Sequence, residues 1–220
     1  MHIDLTNVIP AAIVVGIMLL VGLPVHEFSH ALAAFRLGDG TAKMFGRLTL
    51  NPIAHFDQIG GTMLVISVLL TGFPFGFAQT PVNPRNLRGK YGEVIVAAAG
   101  PISNLLMAAV VAIPLRILFP LTAGDQSIYV TEPELVLKLI VQYSILLGLF
   151  NLIPIPPLDG GAIMLSLVPP RTAWQVRPFL AQYGFFLIIL LIIPVGPSGQ
   201  SVIGTFLSPI VSAVYDVLVG

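Results

Sequence analysis

The chain has 220 residues, 56% of them hydrophobic and only 9% charged, and its ten basic and ten acidic side chains cancel at pH 7. A soluble domain carries roughly 25% charged residues, so this composition excludes the ordinary soluble classes, and the absent net charge gives nucleic acid no field to answer. With no cysteine there is neither a disulfide framework nor a thiolate metal site, so any bound metal must be held by nitrogen and oxygen.

A hydrocarbon core of about 30 Å needs about 20 apolar helical residues. Five runs meet that length: Val8 to Leu37, Val94 to Pro120, Leu135 to Ile153, Pro178 to Pro194 and Val202 to Val219. The first lacks the basic leader of a secretory signal and continues past a cleavage distance, so it reads as a span. Ile59 to Leu70 is about a dozen residues, closer to a re-entrant element than to a crossing. The expected fold is an all-α polytopic membrane protein, a single domain over residues 1–220. It has about five to six transmembrane helices and a re-entrant element between the first two long spans.

Charge placement favours five crossings. Arg36, Lys43 and Arg47 follow the first span, and Arg85, Arg88 and Lys90 precede the second. If Ile59–Leu70 crossed, these clusters would face opposite sides, against the positive-inside rule. A dip through Phe73-Pro74-Phe75-Gly76-Phe77 that returns to its own side puts both clusters in the cytoplasm, with Arg171 and Arg177. On this count the N-terminus lies outside and the C-terminus in the cytoplasm.

Inside the first span stands His26-Glu27-Phe28-Ser29-His30. An ionisable group at that depth costs about 3 kcal/mol, so a partner must offset it. Residues four apart share one helical face, so both imidazoles can meet a single ion, with Glu27 at the edge of the same site. This H-E-x-x-H pattern suits two zinc ligands and a general base. Histidines that merely packed against a neighbouring helix would leave Glu27 without a partner.

A catalytic zinc needs a third protein ligand and an open position. The candidates are Asp39, Asp57, His55 and Asp159. Asp159 follows Asn151-Leu152-Ile153-Pro154-Ile155-Pro156-Pro157-Leu158 and precedes Gly160-Gly161. Such irregular backbone is tolerable at a membrane edge only where it lines a protein-enclosed or watery cavity. Zn²⁺ with two neutral imidazoles, one aspartate and a nearby glutamate sums to zero charge, which favours Asp159. The plainer role for Asp159 is an N-cap on a following helix. His55 and Asp57 stand as fallback ligands, and with Asn51 they form a polar loop that reads either as a gate or support for the metal site or as an interfacial turn capped by Asp57. Asn104, inside the next apolar run, needs buried partners. It suits contact with an extended substrate or an oxyanion, or a bridge between helices around Gly100.

His26-Glu27-Phe28-Ser29-His30, Ala99-Gly100-Pro101-Ile102-Ser103-Asn104 and Asn151 through Gly161 together resemble the site-2 protease family of intramembrane zinc metalloproteases. Gly38-Asp39, Gly46-Arg47-Leu48-Thr49-Leu50-Asn51-Pro52 and Pro81-Val82-Asn83-Pro84 make the chain most similar to its compact prokaryotic branch, without PDZ or CBS domains. The resemblance implies zinc on His26, His30 and Asp159, water activation by Glu27, and substrate positioning by Asn104. It also implies transmembrane helices of other proteins as substrates and a place in a prokaryotic cell membrane. Two other classes fit less well: a metal transporter would want a polar path through the outer halves of the spans, and an inactive membrane scaffold would have lost Glu27 or a ligand.

Overall fold

The computed structural model describes residues 12–71, 80–118, 132–193 and 201–220. The described residues are helical and contain no strands. Helix α1 spans Ala12–Arg36. Short helices α2 (Thr41–Met44) and α3 (Pro52–His55) follow, then α4 (Gln58–Thr71). A single 3-10 turn at Pro84–Asn86 leads into α5 (Gly92–Leu118). The remainder is α6 (Glu132–Asn151), α7 (Asp159–Leu167), α8 (Pro170–Ile192) and α9 (Val202–Val219).

Five of these, α1, α5, α6, α8 and α9, are long and apolar enough to cross a membrane. They match the five apolar runs, with one revision. The fourth helix begins at Pro170, because a proline in the first turn has no N–H to lose and a φ already suited to a helix, whereas Pro178 is absorbed inside it. The described part of helix α4, Gln58–Thr71, is 14 residues, about 21 Å at 1.5 Å per residue. The Phe73–Phe77 segment lies outside the described residues, as does the start of the first run.

Helix α1 is not regular throughout. Pro24 cannot donate to the carbonyl four residues earlier, and over Met18–Gly22 the helix widens to a π turn in which Leu23 N–H reaches Met18 O. The widening sits one turn before His26, so it sets the rotation at which the His26/His30 face meets its neighbours.

Helix α5 is the hub, packing against α1, α6, α7 and α9. Helices α1 and α5 are antiparallel: His30 lies against Val96 and His26 against Asn104. Close approach to α6 rests on Gly148, where an added Cβ would lie 3.0 Å from both Leu105 Cγ and Pro101 O. Ala108, Ala112 and Leu115 of α5, Val141 and Ile145 of α6, and Val211 and Val219 of α9 form one buried cluster. Outward, α5 shows Leu106, Val110, Ile113 and Ile117, and α9 shows Phe206 and Val217. Contiguous apolar exposure of this kind suits lipid rather than water.

The two basic clusters lie at one end of the bundle. Arg88 N–H donates to Leu37 O at 2.8 Å, and Asp39 accepts from Asn83 N–H and from the Asn86 amide. The chain between residues 47 and 85 therefore leaves and rejoins the same end of α1. The C-terminal helix is placed by its packing. Ile203 and Leu207 cluster with Phe150 at the end of α6, and Gly220 lies beside Arg116 at the end of α5. Helix α9 thus runs parallel to α5 and ends away from the basic loops, because packing against α5 and α6 fixes its direction while the loop charges count only crossings.

Candidate metal centre

The second half of α1 presents His26, Glu27 and His30, all buried. Asp159 is the first residue of α7; its predecessor Leu158 occupies the cap position, and the Asp159 carboxylate turns toward the histidines instead of capping. Glycines make the approach possible. A Cβ at Gly160 would collide with Leu152 O, one at Gly161 would lie 2.6 Å from Pro156 Cδ, and one at Gly184 of α8 would collide with Pro156 O. The proline-broken segment is thus packed from two sides by residues with no side chain, and Asp159 is delivered at its end.

The donor atoms form a tight triangle. His26 Nε2 lies 3.0 Å from an Asp159 carboxylate oxygen, His30 Nε2 lies 3.3 Å from the same oxygen, and the two Nε2 atoms are 3.0 Å apart. Tetrahedral zinc, with bonds of about 2.0–2.1 Å, sets donor pairs roughly 3.3–3.4 Å apart, so the triangle fits with a few tenths of an ångström of expansion. The far ring nitrogens support the same assignment. His30 Nδ1 donates to Val96 O at 2.7 Å, which leaves Nε2 as a lone pair facing inward. His26 Nδ1 stands 3.3 Å from the Asn104 carboxamide, whose Oδ1 is buried without a partner when Nδ2 faces the ring. Turning the amide, which preserves its shape, lets His26 Nδ1–H donate to Oδ1 and frees Nε2 for an ion.

Helix α5 closes the other side. A Cβ at Gly100 would collide with His30 Nε2 and fall 2.7 Å from His26 Nε2. Gly100 lies eight residues into α5, about 12 Å from its start, so the donors sit well inside the span. A cleft of about 260 Å³ lies against Pro156, Pro157 and Leu158, walled by Glu93 and Arg177.

The remaining sequence candidates lie elsewhere. Among the described residues, the group of close metal-ligating atoms is His26, His30 and Asp159. Asp39 accepts from Thr41 N–H at 3.1 Å, the Thr41 hydroxyl at 2.5 Å, Asn86 at 3.1 Å and Asn83 N–H at 2.7 Å. Burial pushes its carboxyl up, but these hydrogen bonds outweigh that and hold it below the usual range. Asp57 accepts from Gly60 N–H at the start of α4, and Asn51 caps α3 by accepting from Ile53 N–H. His55 is buried and donates from Nε2 to Thr49 O at 2.6 Å. These three organise the loop between α2 and α4. Asn104 is fully buried and its carboxamide lies against His26. Sequence reasoning did not find Thr80, whose hydroxyl donates to Glu27 Oε2 at 2.7 Å across 53 residues.

The family model described as peptidase family M50 matches residues 120–191, a stretch that holds Asp159 and its prolines. YwhC of Bacillus subtilis, provisionally named a zinc metalloprotease, is 38% identical over 197 residues, which covers 87% of this chain and 84% of its own. The chain belongs to peptidase family M50. This M50 chain is also 32% identical over 179 residues to Rip2 of Mycolicibacterium smegmatis, covering 79% of this chain and 64% of that one. With Rip2 of Mycobacterium tuberculosis it shares 31% over 180 residues, 80% of this chain and 65% of the relative. Both Rip2 proteins carry the same provisional name. No solved structure matches. M50 is the site-2 protease family, and its membership agrees with the several apolar helices of a multi-pass membrane protein.

Proposed function

We propose that the chain is an intramembrane zinc metalloendopeptidase that cuts peptide bonds within transmembrane segments of other membrane proteins. The observation that carries this reading is the triangle of His26, His30 and Asp159 donors, with Glu27 on the same membrane-length helix. Two neutral imidazoles and a carboxylate, with no thiolate, form a donor set that zinc accepts. A zinc ion held there supplies Lewis acidity, which makes water nucleophilic near neutral pH and polarises the scissile carbonyl. Glu27 accepts the proton that the attacking water gives up and returns it to the leaving amine. Val96 O and Asn104 keep both imidazoles in the tautomer that presents Nε2. Asp159 and Glu27 together balance a divalent charge in a medium that tolerates none unbalanced.

A helical substrate hides its carbonyls in its own hydrogen bonds, so it must unwind locally before Glu27 can act. Surrounding lipid supplies such substrates laterally, and the cleft against Pro156–Leu158 supports an entry for water. The donors lie nearer the end that carries the basic loops, so cleavage on the cytoplasmic side of a prokaryotic cell membrane is the reading.

Glu27→Gln retains zinc and loses cleavage of a membrane-helix substrate, because an amide cannot take the proton; full-rate proteolysis by that variant refutes the assignment. Asp159→Ala lowers zinc content measured by metal analysis, and an unchanged stoichiometry moves the third ligand elsewhere.

A further inference from the structure

We propose that Thr80 is a positioning residue for Glu27, held in place by the Asp39 clamp at the end of α1; this rests on the proteolytic reading of Glu27. A glutamate's terminal torsion is soft and roughly two-fold, so nothing in α1 itself decides which carboxylate oxygen faces the reacting water. The Thr80 hydroxyl decides it. It donates to Glu27 Oε2 at 2.7 Å and stands 3.1 Å from the Glu27 carbonyl. Oε2 is thereby engaged and Oε1 is left as the oxygen that receives a proton. A hydroxyl donor on an ionised carboxylate also makes a strong, short bond. Glu27 is 3% exposed, so solvent does not supply that donor.

Thr80 comes from a different part of the chain, and something must hold it there. Three residues on, Asn83 is extended and donates from its backbone to Asp39 Oδ2 at 2.7 Å, while Asn86 donates to Asp39 Oδ1 at 3.1 Å. Arg88 N–H then closes on Leu37 O. Gly38, at φ +106°, makes the turn that aims the Asp39 side chain inward. The Gly38-Asp39 and Pro81-Val82-Asn83-Pro84 segments, which lie outside the donor triangle, thus acquire a shared purpose. They fix residues 80–88 against α1 so that one hydroxyl reaches the base.

The test compares wild type, Thr80→Val, Thr80→Ser, Asp39→Asn and Glu27→Gln, purified in detergent, on a synthetic transmembrane-helix substrate that carries a fluorophore and quencher. Zinc content is measured on each. Thr80→Val keeps zinc and lowers kcat about 10- to 100-fold while KM stays within about twofold, the loss typical of a group that orients a reacting residue. Thr80→Ser restores kcat to within about threefold, since the hydroxyl returns. Asp39→Asn repeats the kcat-specific loss by a route that leaves Thr80 chemically intact. Wild-type kcat in Thr80→Val, a Thr80→Ser variant as slow as the valine, or loss of zinc in step with kcat overturns the proposal. Activity surviving in Glu27→Gln overturns the protease assignment itself, so the two failures are distinguishable.

Discussion

At Gly100 an added methyl carbon would fall 2.7 Å from His26 Cε1 and Nε2, and would collide with His30 Nε2. The two Nε2 atoms are the ones that would converge on an ion, so an alanine there would compete with a metal for the same space. Gly100→Ala is therefore expected to weaken zinc binding by tenfold or more, on the order of what disturbed support of a ligand costs, while helix content by circular dichroism stays unchanged. Full zinc stoichiometry after dialysis against a weak chelator would show that α5 yields instead. The His26/Glu27/His30 triple was legible in the sequence because the helical period alone places residues four apart on one face. Asp159 was legible because a carboxylate on proline-broken backbone at a membrane edge demands a reason. Thr80 was not, since a contact across 53 residues leaves no periodic trace. Asn104 was found as a buried amide, but no spacing rule says which imidazole it meets.

The elements around the site are held by two devices of different character. The proline segment before α7 is packed by the bare backbone of Gly160, Gly161 and Gly184, a steric device indifferent to pH. The segment before α5 is tied to the end of α1 by the Leu37–Arg88 backbone bond and by the Asp39 carboxylate, and the latter tie responds to charge. Because hydrogen bonds lower the Asp39 pKa in the fold, its contribution is complete above the unfolded value of about 3.9 and is lost only as pH falls through the lower folded value. The clamp is thus engaged at any physiological pH. Asp39→Asn releases it by chemistry instead, since the new amide sets a donor where Asn83 N–H also donates. Losing one hydrogen bond to a charged group costs about 1.5–3 kcal/mol, which raises the open fraction of residues 80–88 roughly ten- to hundredfold. Trypsin cleavage after the exposed Arg85 and Arg88 is expected to accelerate accordingly at neutral pH, with the rest of the chain intact. An unchanged cutting rate would mean that the Leu37–Arg88 backbone bond suffices alone. The helices themselves followed from apolar run length, whereas this clamp links short loops whose polar residues fit many turns equally well.

For the molecule as a whole, two independent arguments fix which ends lie together. Like charge predicts that Lys43 and Arg88 share a side, and the Leu37–Arg88 and Asp39–Asn83 hydrogen bonds join the segments that carry them. On that joining we expect α4 to be an excursion that returns and α5 to be the next crossing. At the C-terminus packing supplies the argument. Arg177 of α8 borders the cleft near Glu93, Gly184 presses on Pro156, and Ile188 and Ile192 join Phe150, Leu158 and Ile203. Both ends of α8 are thereby tied to the half of the bundle that contains the donor triangle. Its 23 residues, about 34 Å if upright, must lie oblique to α5. Helix α9 then crosses to Arg116 and ends on the face away from the basic loops. The chain has no cysteine, so single introduced thiols report sidedness without background. Lys43→Cys and Arg88→Cys in sealed inverted vesicles are expected to react alike with an impermeant maleimide. Gly220→Cys is expected to stay protected until detergent is added. Opposite labelling of the first pair would make α4 a true crossing, and a Gly220→Cys variant that labels with them would put α8 upright across the bilayer.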